Sequence, residues 1–164
     1  MTGPPEAVHG TPAGAETGDA PALDVNRLSD EAAHAALLAC FGSPVWVQAV
    51  LSTRPHPDLP ALLEAAGKAW QGLDAAGWHE AFRAMPERAV PPSDEGTRRA
   101  TELALRLYRE RFGWPFIAEQ EDLPGDELLI RIRIRLGHEP AAEFRKTCAE
   151  LTTIGRRRLN RLIP

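Results

Sequence analysis

Apolar residues recur at helical spacing through most of the chain after residue 22. The segment that starts at Ser29 carries Ala36, Leu37 and Cys40 along one side and stops at Gly42. This pattern is typical of an amphipathic helix with an N-terminal cap and a glycine stop. The same reasoning predicts further helices over residues 44–54, 58–72, 74–84 and 94–112.

In the long helix that Asp94 opens, Leu103, Leu107 and Phe112 recur at helical spacing. A surface helix buries the stripe on which its apolar residues align. We therefore expect these three side chains to form its buried face.

The stretch IRIRIRLGH, residues 130–138, alternates strictly, which is typical of a half-buried strand. A helix that starts at Pro124 instead places four large aliphatic side chains between Leu128 and Leu136 on one side, with Gly137 as its stop. A lone strand would leave its backbone groups unpaired, so the helix is favoured. With a last helix over residues 139–162, the sequence predicts an all-α single domain of about seven helices.

Residues 1–22 are dense in Gly and Pro and contain almost no large apolar side chain, so they are predicted to form a disordered tail before a helical domain of residues 23–164. No stretch is apolar enough for a signal-peptide core or a membrane span. A cytoplasmic protein without membrane contact is expected.

The formal net charge is -4, so no global basic field favours nucleic acid. The cluster of Arg156, Arg157, Arg158 and Arg161 does not change this expectation, because consecutive arginines on a helix point in different directions. The two cysteines, at positions 40 and 148, lie in apolar helical patterns and in no CxxC or metal-binding spacing. We expect buried thiols in a reducing compartment, and neither metal nor cofactor.

Six fragments, in order, carry a resemblance to a known family. They are FGSPVW (41–46), RPHPDLPALLEAAGKAW (54–70), GWHEAF (77–82), YRERFGWPFI (108–117), RLGHEPAAEF (135–144) and IGRRRLNRLI (154–163). Together they resemble the 2-oxo-4-hydroxy-4-carboxy-5-ureidoimidazoline (OHCU) decarboxylases. The resemblance implies an all-α fold, commonly a homodimer, and decarboxylation of the last unstable intermediate after urate oxidation to give S-allantoin.

The resemblance departs from the family where the chemistry lies. A His-Pro pair is usual after the fourth helix, and its His is the proposed general acid or base; here the pair is Met85-Pro86. A thioether carries no proton, so Met85 cannot perform this transfer. Glu87 is the candidate replacement, although a solvated loop residue is the favoured explanation of this side chain. A Ser-x-x-Glu-Gln motif that helps to hold the substrate is absent before residues 94–97.

Other parts of the implied site are retained. Arg158 resembles the substrate-binding arginine of the family, and a planar guanidinium suits a carboxylate. The segment that contains Trp114, Phe116, Ile117 and Ala118 resembles the one whose main chain binds the ureido ring. With Met85 and Pro86, these four residues form the predicted substrate-binding set, and Glu87 and Arg158 form the predicted catalytic pair.

Two functional interpretations remain open. The first is a divergent lyase or tailoring enzyme that acts on a small polar molecule bearing a carboxylate, for which the standard allantoin-forming reaction is not expected. The second is a catalytically inactive binding or regulatory paralogue of the ureide pathway. A cavity filled by apolar side chains would end the enzyme interpretation.

Overall fold

The computed structural model describes residues 24–163, which form seven α-helices. The predicted N-terminal tail lies outside the described residues. Within them no strand occurs, which confirms the all-α prediction. The helices are α1 (Asp30–Phe41), α2 (Pro44–Leu51), α3 (Leu59–Gln71), α4 (Ala75–Ala84), α5 (Glu95–Phe112), α6 (Gly125–Leu136) and α7 (Pro140–Leu159).

Short polar side chains begin several of these helices, as the sequence predicted. Ser29 accepts a hydrogen bond from the N–H of Ala32, and Asp74 accepts one from Gly77. Each bond satisfies an N–H group that has no partner inside the helix. At the other end of α1, Gly42 adopts a left-handed conformation with φ 82° and ends the helix.

The alternating stretch is helical, which confirms the choice between strand and helix. Leu128, Leu129 and Ile132 are buried on one side of α6, and Ile130 and Ile134 are exposed on the other. The sequence of this stretch alternates with a period of two, and yet it forms a helix whose buried residues follow the helical period.

The buried face of α5 differs from the prediction. Leu103 and Leu107 are 48% and 45% exposed, whereas Thr101, Ala104 and Tyr108 face the core with Phe112. The apolar pattern was misleading because Tyr108 and Thr101 are fully buried and the hydroxyl of each has a hydrogen-bond partner, so that both pack as core residues.

All seven helices contribute to the core, and an aromatic cluster lies in it where α1, α2 and α3 meet. Trp46 stacks on Trp70 with ring centroids 5.5 Å apart, and Phe41 contacts both rings. The indole N–H of Trp46 donates to the carbonyl of Ala66 at 3.2 Å. The backbone of α7 packs against this cluster at Gly155, where an added Cβ would lie 3.0 Å from the ring of Trp70, and this contact positions one wall of the site described below.

No helix among residues 24–163 is long and apolar enough to cross a membrane.

Candidate functional site

A cavity of about 300 Å³ lies between the end of α4, the segment after α5, and α7. It is not filled by apolar side chains, so the structure leaves the enzyme interpretation open. Seven of the eight sequence-predicted site residues line this cavity. The lining residues are Met85, Pro86, Glu87, Arg88, Ala89, Phe116, Ile117, Ala118, Glu121, Ile154 and Arg158.

The residues after α4 form one wall because the helix cannot continue past them. Pro86 disfavours helical geometry in the preceding residue, and Met85 is extended with φ -75° and ψ 139°. The chain therefore leaves α4 as an extended segment. This segment, residues 85–89, brings Met85 and Glu87 to the cavity.

Arg158 is held against the end of α1. Its Nη1 donates to the carbonyls of Ala39 at 3.2 Å and Cys40 at 3.3 Å, and lies 3.8 Å from the sulfur of Met85. The last carbonyls of a helix favour a cation, so these bonds anchor the guanidinium. Its Nε and Nη2 make no hydrogen bond to any residue between 24 and 163, which leaves them able to bind a ligand.

Glu87 lies at the cavity edge, but its carboxylate forms an ion pair with Arg109 of α5. Both side chains are about half exposed, at 55% and 54%. The carboxylate is thus engaged as an acceptor by a guanidinium. This contact weighs against the candidate acid-base role of Glu87.

The main chain after α5 is fixed by charged side chains from α6 and α7. The Nη1 of Arg135 donates to the carbonyl of Ile117 at 2.6 Å, and Arg157 donates to the carbonyl of Glu119 at 3.2 Å. Glu150 accepts from the N–H of Glu119 at 2.7 Å. The segment is therefore held rigidly although it has no regular structure. No group within residues 24–163 accepts a hydrogen bond from the N–H of Ile117 or of Ala118, both of which line the cavity.

Trp114 is the predicted site residue that the structure places elsewhere. Its ring packs against His79, Phe82 and Phe144, and its N–H donates to the hydroxyl of Thr147 at 3.3 Å. It is 5% exposed and does not line the cavity. His79 is half-buried in the same aromatic cluster. Both side chains serve packing here.

A buried polar cluster behind the cavity wall was not anticipated from the sequence. The carboxylate of Glu143 is fully buried and contacts Arg135, Tyr108 and His138. Arg135 also donates to Thr147 at 3.1 Å. The helical spacing in the sequence does indicate that Arg135 is buried, because it lies three residues after the buried Ile132 and so falls on the buried side of α6.

The arginine cluster of α7 spreads over different faces, as predicted. Arg156 lies over the ring of Trp70 at 5.7 Å, Arg157 contacts the main chain of Glu119, and Arg158 faces the cavity. No single basic surface results from these three residues.

The two cysteines are free thiols. Burial raises the pKa of Cys40 and of Cys148 to about 11, and the nearby Arg158 only partly opposes this for Cys40. Cys40 is buried as expected, whereas Cys148 is half-buried. Such thiols carry little thiolate near neutral pH and are poor nucleophiles. Among residues 24–163, no three His, Cys, Asp or Glu side chains lie close enough together to hold a metal ion.

Similar proteins were found by family model, by sequence and by structure. The chain is 29% identical over 153 residues to the 2-oxo-4-hydroxy-4-carboxy-5-ureidoimidazoline decarboxylase of Haloferax volcanii, with 82% of this chain and 91% of the relative covered. It is 30% identical over 141 residues to the enzyme of the same name from Amia calva, with 73% and 81% covered.

Two solved structures share the fold. One is a crystal structure of OHCU decarboxylase in the presence of (S)-allantoin, with a TM-score of 0.69, 21% identity, and coverage of 83% of this chain and 99% of that chain. The other is (S)-allantoin synthase, with a TM-score of 0.69, 16% identity, and coverage of 84% and 52%. The family model described as OHCU decarboxylase matches residues 26–103 and 87–160. The chain therefore belongs to the OHCU decarboxylase family.

Proposed function

We propose that this protein is a carboxy-lyase of divergent specificity, which binds a small polar molecule bearing a carboxylate in the cavity beside Arg158. The observation that supports this most directly is the guanidinium of Arg158, anchored through Nη1 with Nε and Nη2 free of hydrogen bonds to the described residues. A planar pair of N–H donors matches the two oxygens of a carboxylate.

The main chain of residues 116–118 supplies the other half of the proposed site. The N–H groups of Ile117 and Ala118 have no partner among residues 24–163, and Arg135 holds the segment in place through the carbonyl of Ile117. Fixed N–H donors stabilise negative charge that develops during a reaction without reorganising. Decarboxylation leaves an electron pair on the atom that was bonded to the carboxyl carbon. When a substrate oxygen takes up this negative charge, the two N–H groups stabilise it by hydrogen bonding.

Ligand screening followed by carbon dioxide release tests this proposal. Small carboxylates that raise the melting temperature of the wild-type protein should not raise that of Arg158→Ala. Each such compound is then assayed for release of carbon dioxide. A carboxylate that binds through Arg158 and is decarboxylated supports the enzyme. Stabilisation that persists in Arg158→Ala would refute the proposed binding mode.

The allantoin-forming reaction named for the relatives is not expected here. Met85 occupies the position at which the resemblance places the proton-carrying His, and Glu87 is paired with Arg109. We therefore expect no acceleration of allantoin formation over the uncatalysed reaction, followed by circular dichroism. A rate comparable to that of a relative with the His-Pro pair would refute this expectation.

The ion pair of Glu87 also favours a second candidate function, which is a binding or regulatory paralogue without activity. With Glu87 engaged, Glu121 is the remaining acidic side chain on the cavity lining. Compounds that bind through Arg158 but release no carbon dioxide would decide for this second function.

A cytoplasmic location and a homodimer complete the proposal. The free thiols Cys40 and Cys148 are compatible with a reducing compartment. The dimer is supported by the family resemblance and by four large aliphatic side chains exposed on α5 and α6. These are Leu103, Leu107, Ile130 and Ile134, which are 45–60% exposed. Light scattering after size exclusion should give twice the monomer mass, and Ile134→Glu should reduce it; a monomeric wild type would refute the dimer.

A further inference from the structure

Arginines that are removed from water normally have a carboxylate partner, and most of this chain follows that rule. Five arginines among residues 24–163 are buried or half-buried. Three of them lie within 4 Å of a carboxylate, namely Arg54 with Asp30, Arg131 with Glu127, and Arg135 with Glu143. The two without such a partner among the described residues are Arg88 and Arg158, and both line the same cavity.

Arg88 is held in place without being neutralised. Its Nη2 donates to the carbonyls of Gln120 at 2.5 Å and Glu121 at 2.7 Å, which ties it to the segment across the cavity. Its Nε and Nη1 make no hydrogen bond to residues 24–163. Burial lowers the pKa of Arg88, and the carboxylates of Glu121 and Asp122 oppose this from beyond ion-pair distance. The guanidinium is thus partly desolvated and two of its nitrogens remain available.

The cavity as a whole favours an anion. Of its two acidic side chains, Glu87 forms an ion pair with Arg109, which lies outside the cavity lining, and Glu121 is an exposed residue. The cavity lining therefore contains two guanidinium groups, of Arg88 and Arg158, and one carboxylate, of Glu121, that have no ion-pair partner among residues 24–163. A ligand with a single carboxylate satisfies one guanidinium and leaves the other partly desolvated and uncompensated.

We propose that the cavity is specific for a small dicarboxylate, with Arg158 holding one carboxylate and Arg88 the other. This rests on the proposed function, because it takes Arg158 as a carboxylate-binding group. It changes the substrate class, since the name of the curated relatives describes a compound with one carboxy group. Arg88 is then the residue that determines specificity.

A purely structural role for Arg88 predicts something different. The two bonds from Nη2 to the main chain account for a tie between residues 85–89 and the segment after α5. They do not require Nε and Nη1 to remain without a partner at the cavity. A structural tie would lower stability and the affinity for every ligand alike, whereas a specificity residue distinguishes two carboxylates from one.

Calorimetric titration with matched probes separates these roles. Malonate, succinate and glutarate are each compared with their own monomethyl ester, which has nearly the same size but one charge. In the wild type, at least one diacid should bind about tenfold or more tightly than its ester, because a charge-assisted hydrogen bond contributes roughly that much. Arg88→Gln should abolish this preference and leave the affinity for the ester unchanged.

Two further variants complete the design. Arg158→Gln should weaken both diacid and ester, and Arg133→Gln, an exposed arginine of α6 outside the cavity, should change neither. The inference is overturned if no diacid is preferred over its ester, or if Arg133→Gln reduces the preference as much as Arg88→Gln. It is also overturned if Arg88→Gln lowers both affinities equally together with the melting temperature.

The same titrations distinguish this inference from the proposed function. If esters bind through Arg158 and diacids gain nothing, the specificity for dicarboxylates fails alone. If neither class of compound binds, or Arg158→Gln has no effect, both the carboxylate site and the inference fail.

Discussion

Replacing Arg135 by methionine is expected to be among the most damaging single substitutions in the chain. The side chain of Arg135 is 7% exposed, and that of Glu143 is fully buried. The Nε of Arg135 donates to the Glu143 carboxylate at 2.7 Å, and its Nη1 donates to the carbonyl of Ile117 at 2.6 Å. Methionine fills a similar volume and makes none of these bonds, so the carboxylate stays buried without its guanidinium.

The cost follows from the loss of one partner of a buried ion pair, which is about 3–5 kcal/mol. A domain of this size has a total stability on the order of 5–15 kcal/mol, so Arg135→Met removes a large share of it. At roughly 2–4 °C per kcal/mol for a chain of this length, the melting temperature should fall by roughly 6–20 °C.

Urea denaturation followed by far-ultraviolet circular dichroism measures this loss. Arg131→Met, one turn earlier on α6, removes a half-exposed ion pair with Glu127 and should cost less than about 1 kcal/mol. The double variant Arg135→Met, Glu143→Leu should regain part of the loss, because it removes the uncompensated charge. A cost for Arg135→Met as small as that for Arg131→Met would refute the importance of the buried pair.

Three further outcomes are expected. Gly42→Ala should lower the free energy of unfolding by roughly 2–5 kcal/mol, because φ is 82° and the new Cβ would lie 2.6 Å from a methyl group of α4. Gly113→Ala, where φ is 84° and the surrounding space is open, should lower it by about 1–2 kcal/mol. Equal losses would contradict the close approach at Gly42. Tyr108 is the single tyrosine, and burial raises its pKa to about 12. Near-ultraviolet absorbance should therefore show no tyrosinate at about pH 10 while the chain is folded. Ionisation of Tyr108 at that pH in the folded protein would contradict its burial. Burial raises the pKa of Cys40 and Cys148 from 9.0 to about 11, so the stability they contribute as neutral thiols is present below pH 9 and is lost as the pH rises towards 11. Replacing both by Ala should therefore reduce the slope with which stability falls between pH 9 and 11. An unchanged slope would contradict this.

The helices could be predicted from the sequence because their determinants are local. Ser29 and Asp74 cap the helices that follow them, and Gly42 ends α1 in the conformation that glycine favours. Even the alternating stretch of α6 was correctly predicted, since an unpaired strand has no way to satisfy its backbone.

The positions of the polar core residues depend on contacts that are distant in sequence, and these were missed. Tyr108 and Glu143 are 35 residues apart, and their hydrogen bond places Tyr108 in the core while Leu107 faces outward. Hydrophobicity alone ranks Leu107 above Tyr108 and so selects the wrong face of α5. Arg135 was missed although the period of α6 places it on the buried side, because its carboxylate partner Glu143 is not revealed by that period.

At the site, the resemblance led to the cavity, but the pairing of charges required the structure. Arg158 and residues 116–118, which the resemblance indicated, line the same cavity. Glu87 is paired with Arg109, which is 22 residues away, and nothing in the local sequence indicates this contact. The role of Arg88 likewise emerges only when the ion pairs of the other arginines are known.

Allantoin formation by Met85→His, measured beside the wild type, is the sharpest test of the proposed change of specificity. The substrate is generated freshly from urate, and the optical activity of the product is followed by circular dichroism. One positioned acid or base contributes roughly 10²–10⁴-fold to a rate, so a site that lacked only its proton carrier should recover measurable activity. We expect no acceleration by either protein, because the chain also lacks the Ser-x-x-Glu-Gln motif that the resemblance assigns to substrate binding, and because the role proposed for Arg88 adapts the cavity to another ligand. Turnover that appears in Met85→His, or is already present in the wild type, would contradict this expectation.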